Sequence, residues 1–358
     1  MKLCVVVGTR PEIIKMSPII KACQKRAVAF DIVHARQHFS DNMCDVFFRD
    51  LELPTPAFSF EVTAGGHAQQ IASMLLGFDR VFSKSSYSIV LVQGDTNSVF
   101  AAALIASRYQ IPIGHVEAGL RSRDRTMPEE INRIVVDQLS TYLFATSFES
   151  QKNLKREGIS EDQIWNTGNT IVDATLQAIE LAKKKSFKND VLKDYILLTL
   201  HRPGNVDSAE NLKEIIEGIQ QVSSKYKLSV VFPMHPRTKA KMLDSKLTLP
   251  PTFHLLDPVG YLDFLRLLYK ARLIMTDSGG VQEEACILQV PCITLRNNTE
   301  RPETISVGAN LIGGVTKETI VKASDTMLKK PCQWRIPYGD GHSAEKILNI
   351  IFDTIDKH

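Results

Sequence analysis

The chain has 358 residues, 44% of them hydrophobic and 23% charged; that length exceeds what one hydrophobic core usually organises, and that balance excludes a disordered or fibrous chain. The 43 basic and 40 acidic residues leave a net charge of +3, too even a balance for general polyanion binding, so nucleic acid is not an expected partner.

Cys4, Cys23, Cys44, Cys286, Cys292 and Cys332 form no C-x-x-C pair, and four lie in or beside apolar stretches, as reduced buried thiols do. The opening apolar run ends at Val7, with Arg10 and Glu12 close behind, and no later run approaches about 18 apolar residues. A cytoplasmic protein with no membrane partner is expected.

In chain order, β-branched runs at 2–7, 30–34, 89–92, 113–117 and 142–145 alternate with helical-period segments, two of which begin near Pro11 and Thr96. That alternation predicts a parallel sheet. Residues 181–195 turn polar and basic, with Lys183-Lys184-Lys185, as an exposed linker does. Beyond it, strands are predicted at 196–200, 228–232, 253–255, 273–276 and 292–295, with a helix over 211–226. The tail, from Gly341 through Ser343-Ala344-Glu345, has a capping-box start and an apolar face suited to packing on the first domain. The expected fold is α/β, with two Rossmann-like doubly wound domains facing a cleft: 1–172 plus 342–358, and 173–341.

Open parallel sheets bind ligands at the carboxyl ends of their strands. After residues 273–276, Asp277 and Ser278 are suited to capping a helix, while Gly279 and Gly280 let a diphosphate approach free backbone N–H groups at its positive end. Glu283 or Glu284, one turn on, is placed for ribose hydroxyls, and Arg296 and Arg301 follow the next strand. At the amino end, Gly8-Thr9-Arg10-Pro11 with Lys15 also suits an anion, Pro11 being at home in a first helical turn.

Carboxylates gather at three strand ends of the first domain: Asp95, Glu117, and Glu129 with Glu130. Asp95 reads equally as a helix cap, and Glu129 and Glu130 as complements of a helix dipole. Glu117 ends a buried-looking strand, where a carboxylate has a function or a cationic partner such as Arg121. Among nine histidines, His201 is best placed for a site role, after the strand at 196–200; His235 is its nearest competitor.

The stretches GTRPEIIKMSPII, VQGDTNSV, HVEAGLRSRDRTMPEEINR, NTGNTIVDA, HRPGN, HPRTK, TDSGGVQEEA and TERPE, in that order, resemble the non-hydrolysing UDP-N-acetylglucosamine 2-epimerase family over almost the whole chain. The resemblance implies a GT-B-like fold and interconversion of UDP-GlcNAc and UDP-ManNAc, by elimination of UDP to 2-acetamidoglucal and re-addition, without cofactor or metal. It also implies a homodimer. It places Asp95, Glu117, Glu129 and His201 at the reacting sugar, with Arg10, Lys15, Ser278, Gly279 and Gly280 on the diphosphate. Glu284 falls to the ribose, Arg301 to the sugar or phosphate side, and Phe264 to the uracil. Where many relatives have a glutamine near the uracil, this chain reads Pro258-Val259-Gly260. Some bacterial relatives hold a second UDP-GlcNAc as activator. Gln37-His38 matches their glutamine-histidine pair, and His235 is a further candidate, but Gly65-Gly66-His67-Ala68-Gln69-Gln70 lacks their arginine, so weak or absent activation is expected. A GT-B glycosyltransferase and a hydrolysing epimerase are the alternatives; a nicotinamide-dependent epimerase is disfavoured, since neither G-x-G-x-x-G nor Y-x-x-x-K occurs.

Overall fold

The computed structural model describes residues 1–37, 41–185, 194–244 and 248–355. They form two units, Met1–Ala174 with Tyr338–His358, and Thr175–Pro337.

The first unit contains β1 (Lys2–Val7), α1 (Arg10–Lys25), β2 (Ala29–Gln37), α2 (Asp41–Asp50), β3 (Phe58–Val62), α3 (His67–Phe82) and β4 (Ile89–Gln93). It continues with α4 (Asn97–Arg108), β5 (Ile113–Ala118), α5 (Pro128–Leu139), β6 (Tyr142–Ala145), α6 (Phe148–Arg156) and β7 (Ile164–Asn166), and α7 (Thr170–Lys184) leads out of it. Its sheet is parallel, in the order β3-β2-β1-β4-β5-β6-β7. Leu3 to Val7 are buried without a polar break because helices cover both faces; Cys4 and Val6 pack in one cluster with Phe78 and Phe82 of α3 and Ala102 and Ala106 of α4.

The second unit runs β8 (Tyr195–Thr199), α8 (Pro203–Val206), α9 (Ala209–Tyr226), β9 (Ser229–Pro233), α10 (Pro236–Asp244), β10 (Phe253–Leu256) and α11 (Tyr261–Lys270). Then come β11 (Leu273–Thr276), α12 (Gly279–Ile287), β12 (Cys292–Thr294), α13 (Pro302–Ser306), β13 (Asn310–Ile312) and α14 (Lys317–Met327). Its sheet is again parallel, β10-β9-β8-β11-β12-β13. Each sheet reverses its strand order once, between β1 and β4 and between β8 and β11. The loops after those four strands are therefore where each unit can hold a ligand.

The last helix, α15 (Ser343–Ile355), packs on α1. Its start departs from the expected capping box: Glu345 pairs with Arg26 of α1, and the Ala344 amide donates to Asp173 of α7 at 2.9 Å. A buried carboxylate one helix away satisfies the N-terminal amide more completely than a local serine. Burial is the main influence on Asp173 and raises its carboxyl, the Ala344 amide opposing it. No helix of the described residues is long and apolar enough to cross a membrane.

Candidate active site

In the first unit the loop after β1 is set by Gly8 and Glu12. A Cβ at Gly8 would stand 2.3 Å from the Ser98 hydroxyl, so only glycine lets β1 end against the start of α4. Glu12 is 2% exposed; it accepts from the Gly8 amide at 2.6 Å, the Thr9 hydroxyl at 2.9 Å and the Thr96 hydroxyl at 2.7 Å. Burial raises its carboxyl against the pull of those donors. The result is one rigid piece made of the loops after β1 and β4. Arg10, the first residue of α1, is exposed, with its guanidinium over the Phe47 ring.

Asp95 follows β4 but caps nothing; Thr96 is the N-cap residue of α4. The Asp95 carboxylate pairs with Arg133 of α5, and its carbonyl accepts from Asn132. Its carboxyl is raised by burial, an effect that Arg133 opposes and Glu117 reinforces. Two carboxylates at neighbouring strand ends thus feel each other.

Glu117 is the conformational outlier of β5. Its φ is +74°, and pairing with β6 slips a register between Val116 and Ala118. A non-glycine residue in the left-handed region is held there at a cost of about 1–3 kcal/mol, and hydrogen bonds to its carboxylate hold it. Lys15 Nζ donates to both carboxylate oxygens at 2.7 Å, Gln93 Nε2 donates to Oε2, and Asn169 Nδ2 to Oε1 at 3.3 Å. The expected cation was Arg121; the structure supplies Lys15 instead, from α1. Gly119, with φ +79°, turns the chain, and Arg121 pairs with Asp137 and Glu157. Asp137 also meets His115 Nδ1 at 2.6 Å, and His115 Nε2 donates to the Gly94 carbonyl at 2.8 Å. Lys15, expected on a diphosphate, is therefore engaged by a buried carboxylate, which needs a cation more than an exposed anion site does.

Glu129 and Glu130 separate sharply. Glu130 is 1% exposed and accepts from the Ser122 and Arg123 amides at 2.9 Å. Burial pushes its carboxyl up, but those amides and the Ser122 hydroxyl outweigh it and hold the group below its ordinary range. It fixes the loop before α5. Glu129 is exposed on the first turn of that helix.

In the second unit Asp277 does not cap α12. Fully buried, it turns to the loop after β8 and accepts from the His201 amide at 3.0 Å, the Arg202 amide at 2.9 Å and Asn205 Nδ2 at 3.2 Å. His201 Nδ1 lies 2.9 Å from its other oxygen. Burial would raise this carboxyl, yet the bond to His201 and the two amides hold it below the usual range. The contact fixes Nδ1 as a donor and leaves Nε2 as the second functional nitrogen. The His235 ring centroid is 6.1 Å from that of His201.

Ser278 is the N-cap residue of α12 and makes no side-chain cap bond, so the first amides of that helix have no such partner. A Cβ at Gly280 would meet nothing within 4 Å, and one at Gly279 would meet only the Arg301 guanidinium at 3.8 Å. Neither glycine is required by packing; open space in front of a helix N-terminus suits an anion. Arg301 Nε donates to Glu283 at 2.6 Å. Glu284 is 7% exposed and lies by Tyr261, whose hydroxyl is raised by burial first and then by that carboxylate. Phe264 is half-buried on α11. Buried Gln282 accepts from Thr299 at 2.6 Å and from Asn310 at 3.2 Å, tying the Arg301 loop to α12.

The sequence pattern of the family described as UDP-N-acetylglucosamine 2-epimerase matches residues 21–352. UDP-N-acetylglucosamine 2-epimerase of Methanocaldococcus jannaschii is 51% identical, over 98% of this chain and 99% of that protein. The chain belongs to the UDP-N-acetylglucosamine 2-epimerase family. The crystal structure of the M. jannaschii enzyme in complex with UDP-GlcNAc and UDP superposes with a TM-score of 0.85 at 50% identity, covering 99% of this chain and 100% of that one. UDP-2,3-diacetamido-2,3-dideoxy-D-glucuronate 2-epimerase of Pseudomonas aeruginosa is 38% identical, over 98% of this chain and 99% of that protein.

For this member of the epimerase family, sequence reasoning missed Gln93, Asn169 and Asp277 as partners of site residues. They lie in VQGDTNSV, NTGNTIVDA and TDSGGVQEEA, which was the available signal. Of the candidate activator residues, Gln37 ends β2, His38 lies outside the described residues, and His235 neighbours His201. Among the described residues no group of three or more His, Cys, Asp and Glu is disposed to hold a metal.

Proposed function

We propose that this chain interconverts UDP-GlcNAc and UDP-ManNAc, supplying ManNAc-type sugars for cell-surface polysaccharide. The observation that supports it best is the placement of Asp95 and a strained, Lys15-bound Glu117 at adjacent strand ends, in a chain whose relatives carry that activity in their names. Carbon 2 of the sugar has no neighbouring carbonyl, so its proton is not acidic until the bond from carbon 1 to the UDP oxygen begins to break. A carboxylate then takes the proton, the C–H electrons become the C1–C2 double bond of 2-acetamidoglucal, and UDP leaves with the bonding pair. Protonation of carbon 2 from the other face, with return of the UDP oxygen to carbon 1, gives the epimer.

Two acid/base groups flanking the sugar serve this sequence economically. The ammonium on Glu117 favours its ionised form and the base role, while burial suits Asp95 to hold the proton that is returned. Glu129 orients or relays, and His201 assists departure of UDP. The N-terminus of α12, with Ser278, Gly279 and Gly280, keeps the diphosphate while the sugar is a glucal, and Arg10 is a further group for the same anion, Lys15 being held by Glu117. Glu284 serves the ribose, Arg301 the phosphate side and Phe264 the uracil. No step transfers electrons to an acceptor, so the chemistry requires no redox cofactor. A cytoplasmic homodimer completes the proposal.

Incubation with UDP-GlcNAc and no acceptor, followed by proton NMR, tests the reading. UDP-ManNAc signals growing to a constant ratio are expected. Release of free ManNAc and UDP would favour the hydrolysing alternative, and an unchanged spectrum at high enzyme concentration would reject the proposal for this substrate.

A further inference from the structure

The motif Asn166-Thr167-Gly168-Asn169-Thr170 contributes no group to the chemistry above, yet it reaches Glu117. After β7 the chain passes Gly168, φ +83°, where a Cβ would stand 2.9 Å from the Ser343 hydroxyl and 3.2 Å from the Tyr338 carbonyl. Gly339, φ +121°, is packed as closely: its Cβ would stand 3.3 Å from the Gly168 Cα. Two glycines thus let two segments of backbone cross at contact distance. The crossing brings the Asn169 amide to the Tyr338 carbonyl at 2.8 Å. Asn169 Oδ1 accepts from the Ile171 amide at 3.0 Å, which fixes the side-chain amide the right way round. Its Nδ2 is then the group that faces Glu117 Oε1 at 3.3 Å, on a residue that is 4% exposed overall.

We infer that Asn169 is a positioning residue for the proton-transfer carboxylate, holding Glu117 ionised and in its left-handed conformation from an anchor in the returning segment. The inference rests on the reading of Glu117 as an acid/base group. A cap for α7 would need only Oδ1; the second half of the amide would then have no reason to bear on a buried carboxylate. Glu117 is faced by Lys15 from α1, Gln93 at the end of β4 and Asp95 beyond it, while Arg133 of α5 bears on Asp95. Removing the Asn169 donor leaves those charges in place and destabilises the ionised Glu117 alone.

Asn169→Asp separates the two roles, because it keeps an oxygen for the Ile171 amide and replaces the donor with an acceptor facing Glu117. The measurement is kcat/KM for UDP-GlcNAc epimerisation against pH, beside a thermal melt, for wild type, Asn169→Asp, Asn169→Ala and Glu117→Gln. Asn169→Asp is expected to lose roughly a hundred-fold in kcat/KM, to move the acid limb up by about one pH unit and, with a second carboxylate facing buried Glu117, to melt below wild type at neutral pH. Asn169→Ala is expected to move the limb the same way with about a ten-fold loss and a lower melting temperature. An acid limb unmoved in both Asn169 variants, whatever their stability, overturns the inference. If Glu117→Gln is inactive while Asn169→Asp behaves as wild type, this inference alone falls; if Glu117→Gln stays active, the reading of Glu117 falls and this inference with it.

Discussion

Lys15 Nζ stands 2.7 Å from both carboxylate oxygens of Glu117, with the two side chains 13% and 7% exposed. Breaking a buried pair by removing one partner costs about 3–5 kcal/mol, more than removing both. Lys15→Met is therefore expected to be less stable than Lys15→Met with Glu117→Gln, although the double variant carries one change more. Urea melts of the four proteins of this cycle decide it; a double variant less stable than Lys15→Met would show that the ammonium is not there to offset the carboxylate.

Gly280 has open space where a side chain would go. Gly280→Ala should raise stability by about 0.4–1 kcal/mol, since the position is helical and unobstructed. It should also weaken UDP binding, because the methyl group stands in front of the helix N-terminus. Paired thermal melts and calorimetric titration with UDP check both halves, and unchanged affinity would move the diphosphate elsewhere.

Asp277 gives a pH dependence of definite sign. Its carboxyl is held below the ordinary range in the folded chain, by His201 and two amides acting against burial. The stabilisation is therefore present above the unfolded value of about 3.9 and lost as pH falls through the lower folded value. Asp277→Asn should cost about 1–3 kcal/mol at pH 7, with the gap to wild type closing in strong acid. A gap that is constant down to pH 2 would contradict this. The same variant should slow epimerisation, since the His201 tautomer loses its charged anchor.

Glu12 runs the other way. Burial raises its carboxyl above the unfolded value, so its contribution is full below about pH 4.3 and declines as pH rises through the folded value. Glutamine can accept from the Gly8 amide and donate to the threonine hydroxyls. Relative to wild type, Glu12→Gln should therefore gain stability as pH rises from 4 to 8, read from melts at each pH; a relative loss over that interval would mean the network requires the charge.

Much of this architecture was visible in the chain order of apolar runs, because strands buried on both faces have no polar alternation to disguise them. Residues 273–276 coincide with β11, and 2–7 with β1. The strands that escaped are edge or near-edge elements: β3 is largely exposed, and β7 and β13 have three residues each. In the site, the loops were legible and the partnerships were not. Glu117 was expected to find Arg121, four positions away, and finds Lys15, 102 positions away. Asp277 was read as a local cap and instead accepts from His201, 76 positions back, because β8 and β11 are neighbours. Such choices depend on sheet order, which local pattern does not specify.

In the proposed reaction a proton leaves and returns at carbon 2 of the sugar. Its most direct measurement is NMR of UDP-GlcNAc with wild type, Asp95→Asn and Glu117→Gln in D2O. Deuterium is expected at carbon 2 of both epimers with wild type, and the two variants are expected to fold and to lose that exchange. Epimerisation by wild type without deuterium at carbon 2, or full exchange in either variant, would contradict it.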